Sequence, residues 1–225
     1  MPRVTKEELK GNELIVYLQE IAEFFKKYWE KMKLGLLIGG VAAFFITLIL
    51  LGNARTNSSA MNELSSTLAI YQNQQVPVQE RYTKARDALK GLLDKYPHSN
   101  IKYEALFYLG SCHYFLGEYD EAVEAFTKCA AKIKKGSLGI YVLQGIGKSN
   151  EGKGNYAEAL QVYQKIVDKY PNHFLKTNIM LDVGRCYEKL GKIDEAVNTY
   201  QKILDFSPQS VWAREARIRI NILKG

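Results

Sequence analysis

The feature that most constrains the fold of this chain is an internal repeat with a period of 37 residues. Three segments align without gaps: LGEYDEAVEAF (116–126), KGNYAEALQVY (153–163) and LGKIDEAVNTY (190–200). The glycines Gly110, Gly147 and Gly184, upstream of these segments, keep the same period. A period of this length indicates an array of small units, each of which buries its apolar face against its neighbours.

The residues of each unit predict two helices in close contact, as the last unit illustrates. Gly184 falls in the middle of the first helix, where glycine costs about 1 kcal/mol relative to alanine. That cost is tolerable if the missing side chain lets a second helix approach. Ala196 supplies the matching small contact and Tyr200 fills the space between the helices. Gly191 can adopt the left-handed conformation that ends a helix, and Pro208 stops the second helix.

The order Leu-Gly, Gly-x-Tyr, Ala, Phe and Pro in these units resembles the tetratricopeptide repeat (TPR). The resemblance covers residues 60–208 and is specific in three units, with a degenerate first unit at about 60–97. The period of 37 exceeds the roughly 34 residues of the standard repeat, and the extra residues fall in the linkers. The resemblance implies about four units within 61–209 and a capping helix at 210–225, in which Trp212, Ala216, Ile218 and Ile220 cover the last repeat.

A second strong signal is an uncharged apolar segment at residues 34–52. Nineteen apolar and small residues are enough for one membrane span, although a cleaved secretory signal is the alternative. The basic residues Lys26, Lys27, Lys31 and Lys33 precede it, and only Arg55 follows closely. The positive-inside rule therefore predicts a single span with the amphipathic juxtamembrane helix at 1–33 in the cytoplasm and an extracytoplasmic remainder, which in a bacterium corresponds to the inner membrane. Residues 53–60 are predicted to form a juxtamembrane hinge or helix start.

The expected fold is therefore all-α: one N-terminal transmembrane helix, a TPR α-solenoid and a C-terminal capping helix. Small residues recur every four positions in the span, at Gly35, Gly39, Ala43 and Thr47. Such a stripe lets another membrane helix approach closely, although small residues are also common in such helices for no specific reason.

No residue pattern in the chain indicates catalysis, a metal or a cofactor, and the chain is expected not to be an enzyme. The three cysteines show no Cys-x-x-Cys spacing, and an odd number cannot form a full disulfide framework. The segment GIGKSNEGKG (145–154) lacks the phosphate-loop pattern, and the repeat explains its glycines. Positive charges are dispersed, so nucleic acid is not expected as a partner.

A protein-binding groove is the remaining expectation. In TPR solenoids the first helices of successive repeats line a concave surface. By repeat register that surface includes Phe107, Ser111, Tyr114, Tyr141, Gln144, Lys148, Asn178, Leu181, Arg185 and Glu188. The carboxylate clamp of chaperone-binding TPR proteins does not match, because Phe107 and Ser111 occupy two of its key positions. Lys148 and Arg185 are one period apart and are predicted to be exposed anchors for an acidic partner, or else merely solvated.

The layout of anchor, repeats and cap resembles the YfgM-like family of ancillary subunits of the bacterial translocation channel. That resemblance implies a membrane-anchored scaffold or adaptor on the extracytoplasmic side, associated with protein translocation, chaperoning or envelope assembly. Its partners would be proteins bound through the groove and the membrane helix. The alternative is a structural accessory subunit of a large membrane protein complex.

Overall fold

The computed structural model describes residues 6–132 and 137–225, and side chains from Ile15 onwards apart from 133–137. The described residues contain helices and no strands, as expected for an all-α fold. The helices are α1 (Lys6–Gln72), α2 (Val78–Lys95), α3 (Lys102–Phe115), α4 (Tyr119–Ala130), α5 (Ser137–Gly152), α6 (Tyr156–Lys169), α7 (Lys176–Lys189), α8 (Ile193–Phe206) and α9 (Val211–Lys224). The chain divides into two compact units, Met1–Arg55 and Thr56–Gly225.

The first unit consists of the N-terminal part of α1, whose described side chains are almost all exposed. Among the described residues, this helix alone is long and apolar enough to cross a membrane, a test that a signal sequence near an N-terminus also passes. The predicted juxtamembrane segment 1–33 is helical from Lys6, and its residues 1–5 lie outside the described part.

Residues 53–60, predicted to be a juxtamembrane hinge or helix start, are α-helical. The segment contains no glycine or proline to interrupt a helix, in spite of its asparagine and serine content. Tertiary packing also favours the helix: Ala60 and Leu64 are buried in one apolar cluster with residues of α2 and α3. The end of α1 and α2 thus form the degenerate first repeat.

Each later repeat is a pair of helices held together by a small residue facing an aromatic ring. A Cβ added to Gly110 would lie 2.9 Å from ring carbons of Phe126, and Gly184 meets Tyr200 even more closely. Ala196 and Tyr200 are 0% and 1% exposed, so α7 and α8 are closely packed at this contact. Gly191, which follows the first helix of this pair, has φ of 72°, in the left-handed region predicted for it.

Helix α9 covers the end of the array, with a buried face that differs from the expected one. Ala213, Ala216 and Ile220 are buried, at the three- and four-residue spacing of one helical face. Trp212 and Ile218 were expected to cover the last repeat but are 37% and 48% exposed, because they lie to either side of that face. The exposed positions Arg214, Arg217 and Asn221 give α9 polar groups towards solvent, as the terminal helix of a repeat array requires.

Candidate protein-binding groove

The first helices of the second and third repeats form a pocket of about 270 Å³. The wall from α3 carries Phe107, Ser111, Tyr114 and Phe115, and the wall from α5 carries Tyr141, Gln144, Gly145 and Lys148, with Phe126 between them. Six of the ten predicted groove residues thus line one cavity: Phe107, Ser111, Tyr114, Tyr141, Gln144 and Lys148. Because Phe126 packs directly against Gly145, α5 comes close to α4 here, while α3 and α5 remain apart enough to leave the pocket open.

Aromatic side chains make this end of the groove apolar. Phe115 is 50% exposed and Tyr141 is 39% exposed, so both offer ring surface to a partner. Phe115 also stacks on Tyr82 of α2, with ring centroids 4.5 Å apart, and Tyr114 contacts Tyr119 at 5.9 Å. These contacts hold the rings in place, which lowers the entropy cost of using them for binding.

The polar end of the groove, between α5 and α7, is held together by internal bonds. Arg185 Nε and Nη2 donate to the two carboxylate oxygens of Glu151 at 2.8 and 2.9 Å, and Nη2 also donates to Asp182 at 2.6 Å. Gln144 Nε2 donates to Asn178 Oδ1 at 3.1 Å and to Asp182 Oδ2 at 3.3 Å. These bonds link side chains of two successive repeats.

Arg185, predicted to be an exposed anchor for a partner, has a side chain that is 37% exposed but already paired within the array. Its guanidinium pairs with Glu151 and Asp182, whose side chains are 13% and 7% exposed. Carboxylates removed from water to this extent need a charged partner, and a bidentate guanidinium satisfies them best. Lys148 makes no such pair among the described residues and lines the open pocket.

The pKa directions agree with this internal role. Burial raises the pKa of Asp182 above its ordinary value, and the charge and hydrogen bond of Arg185 oppose that rise. The hydrogen bond to Glu151 raises the pKa of Arg185, with a further contribution from the charge of Asp182. The guanidinium is thus locked in its charged form between the two carboxylates.

Glu188 and Leu181 are likewise committed to the array rather than free. Glu188 accepts a hydrogen bond from the Tyr200 hydroxyl at 2.6 Å and lies 3.5 Å from Arg219 of the capping helix. Leu181 is 7% exposed and belongs to the apolar cluster around Tyr200. The four predicted residues of α7, namely Asn178, Leu181, Arg185 and Glu188, therefore contribute mainly to packing and to contacts between repeats.

Glu151 is a residue of the groove that was not predicted from the sequence. It accepts a hydrogen bond from the Tyr163 hydroxyl at 2.7 Å and pairs with Arg185, so it joins α5, α6 and α7. Glu188 and Tyr200 repeat the same bond one period later. The signal was present: in both repeats a glutamate stands twelve residues before the tyrosine.

The predicted membrane-helix stripe lies on an open helix surface. A Cβ at Gly35 or Gly39 would meet no atom within 4 Å, and the Thr47 hydroxyl donates to the carbonyl of Ala43 at 2.8 Å. The hydroxyl is thereby satisfied within its own helix, which leaves the stripe free to pack against an apolar helix surface.

Metal-ligating and thiol side chains are present among the described residues. No group of three or more His, Cys, Asp or Glu side chains among them could hold a metal ion. Cys112, Cys129 and Cys186 are free and buried, and burial raises the pKa of the Cys112 thiol to about 12 and that of Cys129 to about 11. Thiols with such pKa values are packing groups, because the reactive thiolate is absent near neutral pH.

Comparisons with known proteins identify the repeats. Sequence profiles described as tetratricopeptide repeat match residues 68–99, 103–134 and 140–209. The first match covers the unit formed by the end of α1 and by α2, which the sequence predicted only weakly. A search of curated protein sequences finds no match.

Solved structures show the same fold at low sequence identity. A tetratricopeptide repeat protein from Parabacteroides merdae superimposes with a TM-score of 0.61 at 21% identity, over 75% of this chain. The match spans 61% of that protein, so this chain corresponds to only part of it. A putative kinesin light chain from Podosopora anserina with TPR-like repeats also gives 0.61, at 13% identity, over 74% of this chain and 86% of the other. The chain is a tetratricopeptide repeat protein, with a long apolar helix before its repeats.

Proposed function

We propose that the chain is a membrane-anchored scaffold that binds a partner protein in the pocket between α3 and α5. Tetratricopeptide repeats are protein-interaction modules, and this pocket is where exposed aromatic surface meets a lysine. The observation that carries the proposal is the convergence of six register-predicted residues on that one cavity. A pocket of about 270 Å³ accommodates one or two side chains of a segment laid along the groove.

The partner segment should present an apolar or aromatic side chain next to an acidic or carbonyl-rich stretch. The apolar side chain would lie between Phe115 and Tyr141, and Lys148 would meet the acceptor groups. Arg185 does not take part in this scheme, because its donors already serve Glu151 and Asp182. The binding site is therefore the aromatic end of the groove rather than its whole length.

The proposed location is the inner membrane, with the N-terminus in the cytoplasm and the repeats on the extracytoplasmic side. The lysines before the apolar segment support this topology. A role in translocation, chaperoning or envelope assembly rests on the resemblance in layout to the YfgM-like family. The open stripe at Gly35 and Gly39 favours a second candidate, a structural accessory subunit held in a larger complex by its membrane helix.

Photo-crosslinking from the pocket tests the proposal. A photoreactive phenylalanine derivative at Tyr141 reports contacts of the pocket in intact membranes, and the same residue at exposed Lys165 of α6 is the matched control. We expect crosslinks that are specific to position 141 and that weaken when Lys148→Glu is added. Identical crosslinked proteins from both positions would show that the pocket is not the binding site.

A further inference from the structure

A second groove lies on a different face of α3, between the second helices α2 and α4 of the first two repeats. Its volume is about 690 Å³, larger than that of the pocket between α3 and α5. Its apolar lining, which we call the floor, consists of Leu93, Tyr103, Leu106, Leu109 and the exposed Ala131. The rim carries Lys90, Asp94, Lys102, Lys128 and Lys132, and we call this cavity the lysine groove.

Repeat symmetry supplies an internal comparison. The groove between α6 and α8 lies two periods along the chain and uses the equivalent positions Gln164, Val167, Asp168, Met180, Val183 and Lys202. Its volume is about 300 Å³, and its ionisable lining side chains are Asp168, Tyr187 and Lys202. The lysine groove is thus more than twice as large, and four lysines face a single aspartate in its lining.

The two grooves also differ in the contacts of their side chains. In the groove between α6 and α8, Gln164 of α6 donates to the Tyr187 hydroxyl of α7 at 2.7 Å, so two lining side chains are bonded to each other. The residues at the equivalent repeat positions are Lys90, which lines the lysine groove, and His113, which does not line it and contacts Glu118 instead. The lysine groove therefore lacks this bond between α2 and α3.

We propose that the lysine groove binds an acidic segment of a partner protein that inserts one apolar side chain between α2 and α4. Three of the four lysines appear in no ion pair of the described residues, and Lys128 pairs with Glu124 at 2.6 Å on the helix surface. Carboxylates of a bound segment would neutralise this rim. Leu106 and Leu109 are only 7% and 8% exposed at the bottom, so a protruding side chain reaches them and a flat membrane surface does not.

This site is distinct from the pocket between α3 and α5, which uses Phe107 and Ser111 of α3 rather than Tyr103 and Leu106. A scaffold with both sites would hold two partner segments at once, one on each side of the array. Neither site depends on the other, because they share no lining residue.

Peptide binding to the full chain in neutral detergent micelles tests the proposal. The probe is a fluorescein-labelled peptide with a central leucine flanked by glutamates, with two analogues that carry glutamine for glutamate or serine for leucine. We expect the probe to bind and both analogues to bind at least about tenfold more weakly. Equal binding of the serine analogue would overturn the proposal, because the apolar floor would then be unused.

Charge-reversal variants locate the site. The double variant Lys90→Glu with Lys132→Glu should weaken probe binding about tenfold. The control double variant Lys165→Glu with Lys202→Glu changes the net charge by the same amount and should change probe binding less than about twofold. All four residues are exposed, so the variants are expected to fold, and an unchanged circular dichroism spectrum verifies this. If a double variant does not fold, the same two lysines are replaced by glutamine instead. Equal loss in both pairs refutes the site. Displacement of the probe by phosphatidylglycerol but not phosphatidylcholine in mixed micelles would assign the groove to lipid headgroups instead.

Discussion

Replacing Gly184 by alanine tests the packing that defines the repeat. The added Cβ would lie within 3.0 Å of three ring atoms of Tyr200, which is 1% exposed and hydrogen-bonded to Glu188. Such overpacking costs about 1–3 kcal/mol, since the ring has no free space to move into. Alanine also gains about 1 kcal/mol of helix propensity, so the net loss of stability should be about 0–2 kcal/mol.

Gly91 provides the matched control for this substitution. It lies within α2, is exposed, and a Cβ there would meet no atom within 4 Å. Gly91→Ala gains the same helix propensity and lowers the entropy of the unfolded chain in the same way, but it causes no steric clash. It should therefore raise the free energy of unfolding by about 1 kcal/mol. The two variants should therefore differ by about 1–3 kcal/mol.

Thermal unfolding followed by circular dichroism measures this difference. For a unit of about 170 residues, 1 kcal/mol corresponds to about 2–4 °C, so the melting temperatures should differ by about 2–12 °C. Hydrogen exchange should show the loss in α7 and α8 but not in α2, because repeats open locally. Equal gains in stability from both variants would refute the assignment of Gly184 as a close-contact position.

The remaining predictions concern the core, the polar network and the topology. Ala159→Arg buries a guanidinium at a position that is 0% exposed and should cost more than about 3 kcal/mol; a melting temperature within a degree or two of the parent contradicts this. Arg185→Glu should cost about 1–3 kcal/mol after allowance for partial exposure, whereas Lys148→Glu should change stability by less than about 0.5 kcal/mol in chemical denaturation. The pKa of Asp182 is raised in the folded state, so the folded protein binds this proton more readily than the unfolded chain does. The stability of the wild type should therefore increase relative to that of Asp182→Asn as pH falls from neutral towards about 4. A difference in melting temperature that does not change with pH would contradict this. A reporter fused after Gly225 should behave as extracytoplasmic, and cytoplasmic activity of the fusion would reverse the proposed topology.

The sequence predicted those features that follow from local geometry repeated at a fixed period. Gly184, Ala196 and Tyr200 were assigned to a helix contact on their spacing alone, and the structure confirms that contact. Gly191, expected to end a helix, has φ of 72°, and Gly154, one period earlier, has φ of 81°. Such positions are predictable because one backbone constraint acts in the same way in every repeat.

The features that the sequence did not predict depend on pairs between repeats. Arg185 and Lys148 occupy equivalent positions, yet of the two only Arg185 forms an ion pair among the described residues, because Asp182 stands three residues before it and Glu151 lies across the groove. The position of a residue in the repeat predicts which face of its helix it lies on. Whether its side chain forms an ion pair depends on the side chain that faces it across the groove, which the repeat position does not predict. Trp212 shows a related difficulty: its neighbour Ala213 occupies the buried face of α9 together with Ala216 and Ile220, and Trp212 lies beside that face.

The link formed by Glu151 between α5, α6 and α7 has a mechanical consequence for the array. Directional bonds to Tyr163 and Arg185 resist relative sliding of these helices, because a small displacement breaks the hydrogen-bond geometry. At the preceding boundary, the ring of Phe126 on α4 packs against Gly145 on α5, and such an apolar contact tolerates displacement. A stretching force along the array would therefore lengthen it first at the aromatic pocket. We expect a stretched array to release a segment bound in that pocket, and a bound segment to stiffen the array at that point.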